Sequence, residues 1–310
     1  MYKRQELTET LYDKKISGSL LGVLDKTHTA MGSRKMKRWL REPLNDSAEI
    51  NKRLDGVEEL YRQPLIRNNL KEALRGIYDF ERLAGRIACG NANGKDMIAL
   101  KSSPALLPEI KALMGYFQSE VLKEIDDDIN PLGEVYDIIE RAVCEDPPFA
   151  IKDGGLIREG YSEELDKLKD SIKDGKSWIS GLESAERERT GIRNLKVGYN
   201  RVFGYYLEIT KSFYDQIPEN YIRKQTLANA ERFITPELKD MENLVLNAEA
   251  KINQMEYDLF SSLREYVGGF IKELQATSEA VARLDVLCSF AHVSEKQGYV
   301  LSLIHISEPT

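Results

Sequence analysis

Two long stretches of the sequence repeat apolar residues at helical spacing, and in the second the spacings alternate between three and four. The first stretch starts at Tyr161 and the second at Leu238. This spacing places the apolar side chains on one narrow stripe of an α-helix. Helices of roughly 45–50 Å with one such stripe are poorly buried alone, so each is predicted to pair with the other. The stripes contain Tyr161, Leu165, Leu168, Ile172, Ile179 and Leu182, then Leu238, Met241, Val245, Ala248, Ile252, Met255 and Leu259.

The segment between the stripes has the composition of β-strands. Leu195–Ile209 reads LKVGYNRVFGYYLEI, whose aromatic and β-branched residues predict a β-hairpin. A second strand pair is predicted at Tyr221–Thr226 and Glu231–Ile234, joined by a turn at Ala228–Ala230, with helix as the alternative for that stretch. The pattern therefore predicts an antiparallel helical arm with a β-rich tip that projects from the rest of the chain.

Local signals set the ends of the long helices. Thr235 followed by Pro236 and Glu237 is a typical helix start, with an N-cap, a first-turn proline and an acid facing the helix dipole. The returning helix is expected to weaken at Gly268–Gly269, and Gly175 is expected to be a weak point of the first long helix.

The first half of the sequence predicts a bundle of shorter helices. Asp46 and Glu49 resemble a capping box, and an apolar stripe of Ile50, Leu54, Val57 and Tyr61 follows at helical spacing. Similar runs occupy about 65–74, 77–89 and 105–115. The predicted fold is mostly α: a helical bundle with long antiparallel helices that carry a small β-rich insertion.

Composition narrows the possible classes of protein. The hydrophobic content of 42% is enough for a core, and the net charge of −7 argues against a surface that binds nucleic acid throughout. Any basic binding site is therefore local. Cys89, Cys144 and Cys288 lie far apart, which disfavours disulfides and zinc and predicts reduced cytoplasmic thiols. No apolar run suits a membrane span or a signal peptide, so no membrane partner is expected.

The predicted tip is locally basic. Between Gly191 and Asp240 there are eight basic and six acidic residues, so Lys and Arg there could bind a phosphate backbone. The alternative is that these charges only solvate a hairpin. The interleaved Tyr199, Phe203, Tyr205 and Tyr206 are predicted to form its small core. The basic residues are Arg193, Lys196, Arg201, Lys211, Arg223, Lys224, Arg232 and Lys239.

Motifs of nucleotide or metal chemistry are weak. Gly175-Lys176-Ser177 imitates the end of a P-loop, but the first glycine of that motif would fall on Asp170, inside the predicted helix. His28 and His292 lack neighbours at metal-ligand spacing and are interpreted as packing or surface residues. No nucleophile arrangement is evident, so the chain is not expected to be an enzyme by itself and no cofactor is expected in it.

Both termini are predicted to be foreign to the native protein. The last ten residues, LSLIHISEPT, match the translation of a sequencing-library transposon end. The first five, MYKRQ, match its reverse complement read from a GTG start codon. Residues 1–5 and 301–310 are therefore excluded from the fold prediction.

Three segments resemble the MutS family of mismatch-recognition ATPases. Gly18–Leu44, GSLLGVLDKTHTAMGSRKMKRWLREPL, resembles the start of the family's core domain. Glu186–Thr210, ERERTGIRNLKVGYNRVFGYYLEIT, and Asn220–Lys239, NYIRKQTLANAERFITPELK, resemble its clamp. The resemblance extends over essentially all of residues 6–300.

The resemblance implies domains and partners. It assigns residues 6–192 to the first part of a core and lever domain, 193–234 to a clamp, and 235–300 to the returning lever helix. It implies a homodimer that closes around double-stranded DNA, levers that relay conformational change to an ATPase domain, and a MutL-type repair partner. ATP and Mg would belong to the parent protein. The family's P-loop and its Phe-x-Glu wedge are not found in this sequence.

The resemblance also implies which residues bind DNA. The family's backbone contacts map onto Asn229 and Arg232, with Arg223 and Lys224 expected to assist. A basic residue often precedes that asparagine in the family, whereas Ala228 stands there in this chain. The alternative function is a helical coiled-coil scaffold that binds protein partners and no DNA.

Overall fold

The computed structural model describes residues 6–300 other than Arg201 and Phe203, and the side chains of all of these but Asp153. Residues 1–5 and 301–310, predicted to be foreign, lie outside this part of the chain, so that assignment stays a prediction. The chain divides into two compact units. Unit 1 comprises Met1–Phe149 and Ser261–Thr310, and unit 2 comprises Ala150–Phe260.

Unit 1 consists of helices around one central helix, α12 (Ile271–Gln297). This helix contacts α1, α2, α3, α4, α5 and α8. Its buried residues lie on every side, as expected of a helix in the middle of a core. The other helices are α1 (Leu20–Leu24), α2 (Ala30–Arg41), α3 (Ser47–Arg62), α4 (Pro64–Arg75), α5 (Phe80–Ala88), α6 (Gly94–Ser102), α7 (Leu107–Met114), α8 (Glu120–Asp128) and α9 (Gly133–Ala142).

Helix α3 begins where the sequence predicted, but it buries a different face. The Asp46 carboxylate caps it by accepting from the Ala48 N–H at 2.9 Å. Gly56 and Leu60 are its buried residues. A Cβ on Gly56 would lie 2.5 Å from Val121 Cγ1, so α3 makes its close contact through this side. Leu54, Val57 and Tyr61 of the predicted stripe instead line an open groove of about 410 Å³, which explains why Tyr61 is exposed.

Unit 2 carries the predicted β insertion between two long helices. Helix α10 (Glu163–Thr190) precedes the strands and α11 (Pro236–Gly268) follows them. The strands β1 (Lys196–Asn200), β2 (Gly204–Thr210), β3 (Ile222–Thr226) and β4 (Ala230–Ile234) form one antiparallel sheet in the order β1-β2-β4-β3. Both predicted strand pairs are confirmed, including the second, for which helix was the alternative.

The helix boundaries follow the local signals. Thr235 Oγ1 accepts from the Leu238 N–H at 3.2 Å, so it is the N-cap expected for α11. Helix α11 ends at Gly268, as predicted. Gly175 is not a weak point, because it is buried within α10 and a Cβ there would lie 2.7 Å from Val245 Cγ2. It is a site of close approach between α10 and α11.

The stripe of α10 is largely confirmed, whereas that of α11 is only partly correct. On the first stripe, Leu168 is only partly buried and Tyr161 precedes the helix. Leu165, Ile172, Ile179 and Leu182 are buried on α10. On α11, Leu238, Val245 and Ile252 are buried, but Met241, Ala248, Met255 and Leu259 are only partly so. Glu242, Glu256 and Phe260 are also buried, as are Leu263 and Val267 near the end of the helix.

The buried Glu256 has partners that offset the cost of removing its charge from water. Its Oε1 lies 2.6 Å from Lys169 Nζ on α10, and its Oε2 accepts from the Leu156 N–H at 3.0 Å. The seam between α10 and α11 is therefore partly ionic, a feature that apolar spacing alone does not reveal.

Candidate nucleic-acid interface

One end of the sheet brings together the end of β2 and the turn between β3 and β4. Thr210 lies opposite Ala230, and the Lys211 N–H donates to the Asn229 carbonyl at 3.3 Å. The turn is closed by the Leu227 N–H, which donates to the Ala230 carbonyl at 2.8 Å. We call residues 210–211 and 227–230 the turn end of the sheet.

The turn end presents Asn229 to solvent beside two cations. Asn229 and Lys211 are exposed. Asn194 Nδ2 donates to Thr210 Oγ1, so the exposed Arg193 that precedes Asn194 in the chain lies at the same end. Neither Arg193 nor Lys211 was among the predicted contact residues. Only the strand register shows that they lie near Asn229.

Arg232, a predicted DNA contact, is held against the sheet by its own neighbours. Its Nε donates to Glu208 Oε2 at 3.0 Å, and its Nη1 donates to Gln225 Oε1 at 2.9 Å. Its Cζ lies 4.2 Å from the centroid of the Tyr206 ring, an arrangement typical of a cation–π contact. Its side chain is 20% exposed, so its charge is largely matched within the sheet.

Arg223 and Lys224 lie on β3, an edge strand, and both are exposed. Arg223 Nη1 lies 3.3 Å from Glu231 Oε1. Lys224 falls where the register shifts between Arg223 and Gln225, a β-bulge that sets it apart from the regular pairing with β4.

The unmatched positive charge is concentrated on four residues. Of the eight basic residues between 191 and 240, Arg223, Arg232 and Lys239 form ion pairs, and Arg201 lies outside the described residues. The other four form no ion pair within the described part of the chain, which leaves their charge available to a phosphate. These four are Arg193, Lys196, Lys211 and Lys224.

The prediction that the tyrosines form the core of the insertion is wrong for the described ones. Tyr199 is 56% exposed, and Tyr205 and Tyr206 are partly exposed. Tyr199 and Tyr205 pack on each other, with ring centroids 5.0 Å apart. Aliphatic residues and two other aromatic residues are buried instead. Among them, Leu207, Ile209 and Phe233 share one face of the sheet, because Leu207 pairs with Phe233 and Ile209 follows Leu207 by two residues. The core contains Ile192, Leu195, Leu207, Ile209, Tyr221, Phe233 and Ile234.

A buried hydrogen bond ties the sheet to the end of α10. The Tyr221 hydroxyl donates to Glu186, which also accepts from Arg189 Nη2 at 2.7 Å. Burial alone would raise the pKa of Glu186, but the hydrogen bonds from Arg189 and Tyr221 lower it below its ordinary value. Burial, followed by the hydrogen bond to Glu186, raises the pKa of Tyr221. This contact fixes the sheet against the helix that precedes it.

Comparison with known proteins identifies the family of this chain. A family model described as MutS domain III matches residues 3–291. The chain belongs to the MutS domain III family. The resemblance found in the sequence is thereby confirmed.

Curated relatives of this MutS domain III chain include DNA mismatch repair proteins. A DNA mismatch repair protein MutS from Acetivibrio thermocellus is 48% identical over 296 residues, which cover 96% of this chain and 34% of the relative. The protein of the same description from Alkaliphilus oremlandii is 50% identical over 303 residues, which cover 98% of this chain and 34% of the relative. The chain spans about a third of the length of these curated relatives.

Other sites considered in the sequence are structural in this MutS domain III chain. Gly175–Ser177, the P-loop imitation, is helical, and Lys176 Nζ lies 2.7 Å from Glu249 Oε1. Within the described residues there is no cluster of three or more potential metal ligands among His, Cys, Asp and Glu. Among the described residues, Cys89, Cys144 and Cys288 take part in no disulfide bond. The described helices include none with the length and hydropathy needed to cross a membrane.

Proposed function

We propose that this chain is the DNA-embracing part of a mismatch repair protein and that the turn end of the sheet contacts the phosphate backbone of duplex DNA. The observation that carries the proposal is the set of exposed cations without ion pairs beside Asn229, in a chain of net charge −7. Membership of the MutS domain III family supports it.

The predicted contact residues take different roles in this proposal. Asn229 and Lys224 are exposed and bind phosphate directly, joined by Lys211 and Arg193. Arg223 assists, although Glu231 matches part of its charge. Arg232 is a positioning residue, because Glu208, Gln225 and Tyr206 already occupy its guanidinium. It stabilises the strand pairing that places Asn229.

The wider role is proposed for the parent protein, of which this chain matches about a third. There the long helices act as levers that relay conformational change between the DNA and an ATPase domain that binds ATP and Mg. The parent acts as a homodimer in the cytoplasm with a MutL-type repair partner. Phosphate contacts carry no sequence information, so mismatch recognition belongs to other parts of that protein.

A salt series with the chain and a short duplex tests the contact. We expect a dissociation constant in the range of about 10⁻⁴–10⁻⁶ M and equal binding of matched and mismatched duplexes. With roughly three phosphates neutralised, log K should fall against log salt with a slope near −2.7. Fluorescence anisotropy measures both quantities.

Substitutions separate direct contact from positioning. Lys211→Gln should flatten the salt slope by about 0.9, and Ala228→Lys should steepen it. Arg232→Gln should weaken binding through loss of the network with Glu208, which lowers the melting temperature as well. The matched control is Lys167→Gln on α10, whose partner Glu163 is exposed, and it should leave the slope unchanged.

Two results would contradict the proposal. If Lys211→Gln leaves the salt slope unchanged, the turn end is not the contact. If the chain shows no binding to duplex DNA at low salt, a coiled-coil scaffold that binds protein partners becomes the better reading of the two long helices.

A further inference from the structure

A second basic site lies in unit 1, between α2, α3 and α12. A cavity of about 230 Å³ is lined there by the cations Lys35, Lys52, Arg53 and Arg283, with Trp39 as one wall. Two carboxylates, those of Glu49 and Glu279, also line it. We call this cavity the Trp39 cleft.

Three of the four cations already have carboxylate partners. Lys35 on α2 forms an ion pair with Glu279 on α12. Lys52 Nζ lies 3.1 Å from Glu120 Oε1 and also contacts Glu124. Arg283 Nη1 lies 3.4 Å from Asp128 Oδ2. These pairs hold the walls of the cleft in place.

Arg53 is the exception. Its Cζ lies 3.7 Å from the centroid of the Trp39 ring, so the guanidinium is fixed in orientation by stacking. Within the described residues it has no ion pair and no hydrogen bond, although a guanidinium carries five N–H donors. It is partly buried. A fixed, partly desolvated cation with free donors is prepared for an anion.

The surroundings of Arg53 disfavour its charge when no anion is present. Burial, and next the nearby Arg283, lower the pKa of Arg53 below its ordinary value, and Glu49 opposes this only in part. A bound anion would relieve both effects, because it supplies hydrogen-bond acceptors and a negative charge between two guanidinium groups.

We propose that the Trp39 cleft binds a phosphate group, either as inorganic phosphate or as the phosphate of a mononucleotide. The cations approach from three different helices, which suits a tetrahedral anion with several acceptor oxygens. A carboxylate is planar and is already satisfied by one guanidinium in a bidentate pair. Arg53 makes the direct contact, because the other three cations of the cleft are already paired with carboxylates.

Isothermal titration of the full chain with inorganic phosphate, at constant ionic strength, tests this proposal. We expect a dissociation constant of about 1 mM or tighter. Arg53→Gln should weaken binding at least about tenfold, the loss expected for one charge-assisted contact. Arg53→Lys, which keeps the charge but not the planar fork, should weaken it less. The matched control is Arg62→Gln on the same helix, where Arg62 pairs with Glu58 in solvent.

Further arms identify the source of the phosphate. Tighter binding of AMP than of inorganic phosphate would assign the cleft to a mononucleotide, and equal binding would assign it to the free anion. Acetate that binds as tightly as phosphate would overturn the proposal, as would equal phosphate affinity in the wild type and in a folded Arg53→Gln or Arg53→Lys variant. Lys211→Gln should not change phosphate affinity, so this test is independent of the DNA contact.

Discussion

Among the described residues, each unit buries one carboxylate completely, and the two do so by different means. Asp285 in unit 1 and Glu256 in unit 2 are both 0% exposed. Glu256 has a cation, Lys169 Nζ, at 2.6 Å. Asp285 has none among the described residues and is held by neutral donors, the N–H groups of His28 and Thr29 and the Thr29 hydroxyl at 2.7 Å.

The two buried carboxylates join different pairs of helices. Asp285 fastens the start of α2 to α12, and a Cβ on Gly32 would lie 2.3 Å from its Oδ2. Burial raises the pKa of Asp285 to about 6, although the hydrogen bonds from His28 and Thr29 oppose that shift. Glu256 joins α10 to α11 through opposite charge. We therefore expect the stability of unit 2 to depend on the cation that pairs with Glu256. Because Asp285 has no such cation, we expect the stability of unit 1 to depend on pH.

The largest expected effect is the loss of the cation in unit 2. Lys169→Met should lower the free energy of unfolding by about 3–5 kcal/mol, because it leaves Glu256 charged and unpaired in the seam. Urea denaturation monitored by circular dichroism measures it. Lys167→Met, on the exposed side of α10, is the control and should cause no measurable change. Equal stability of both variants would show that the seam does not depend on the pair.

The next largest expected effect is a change in the stability of unit 1 with pH. The folded-state pKa of Asp285 is raised to about 6 from 3.8, so its contribution to stability is fully present below the unfolded pKa. That contribution is lost as pH rises through about 6. This contribution to the free energy of unfolding is at most about 3 kcal/mol.

Asp285→Asn isolates this pH dependence. The wild type should lose stability relative to Asp285→Asn between about pH 4 and pH 7, as measured by urea denaturation at each pH. A difference between the two proteins that stays constant over this range, or that grows in favour of the wild type, would show that Asp285 is not protonated in the fold.

The smallest effect distinguishes packing from helix propensity in the seam of unit 2. Gly175→Ala should destabilise by about 1–3 kcal/mol, because a Cβ would lie 2.7 Å from Val245 Cγ2 and the gap cannot accept it. Gly181→Ala on the same helix is the matched control. It has nothing within 4 Å of its Cβ position and should stabilise by up to about 1 kcal/mol. If the melting temperatures of the two variants shift in the same direction, the contact at Gly175 is not tight.

Much of the candidate interface was predictable because its signals are local. The strands around Asn229 follow from β-branched and aromatic composition, and the start of α11 follows from Thr235 and Pro236. The contacts that hold Arg232 against the sheet were not predictable. Glu208 and Gln225, which accept from its guanidinium, lie on two other strands, so only the register shows that its charge is matched. The position of Lys211 beside Asn229 was not predicted for the same reason.

The sequence by itself determined the two long helices, their pairing, the first hairpin and several of the shorter helices of this protein. Periodicity and caps depend on neighbours within a few residues, so they can be read without the fold. The tertiary structure decided which polar residues are buried and which cations are free. Glu256 was not predicted in the seam, because its partner Lys169 lies on another helix. Arg53 became a candidate ligand contact only when α2, α3 and α12 came together around it, since burial and pairing depend on residues distant in the chain.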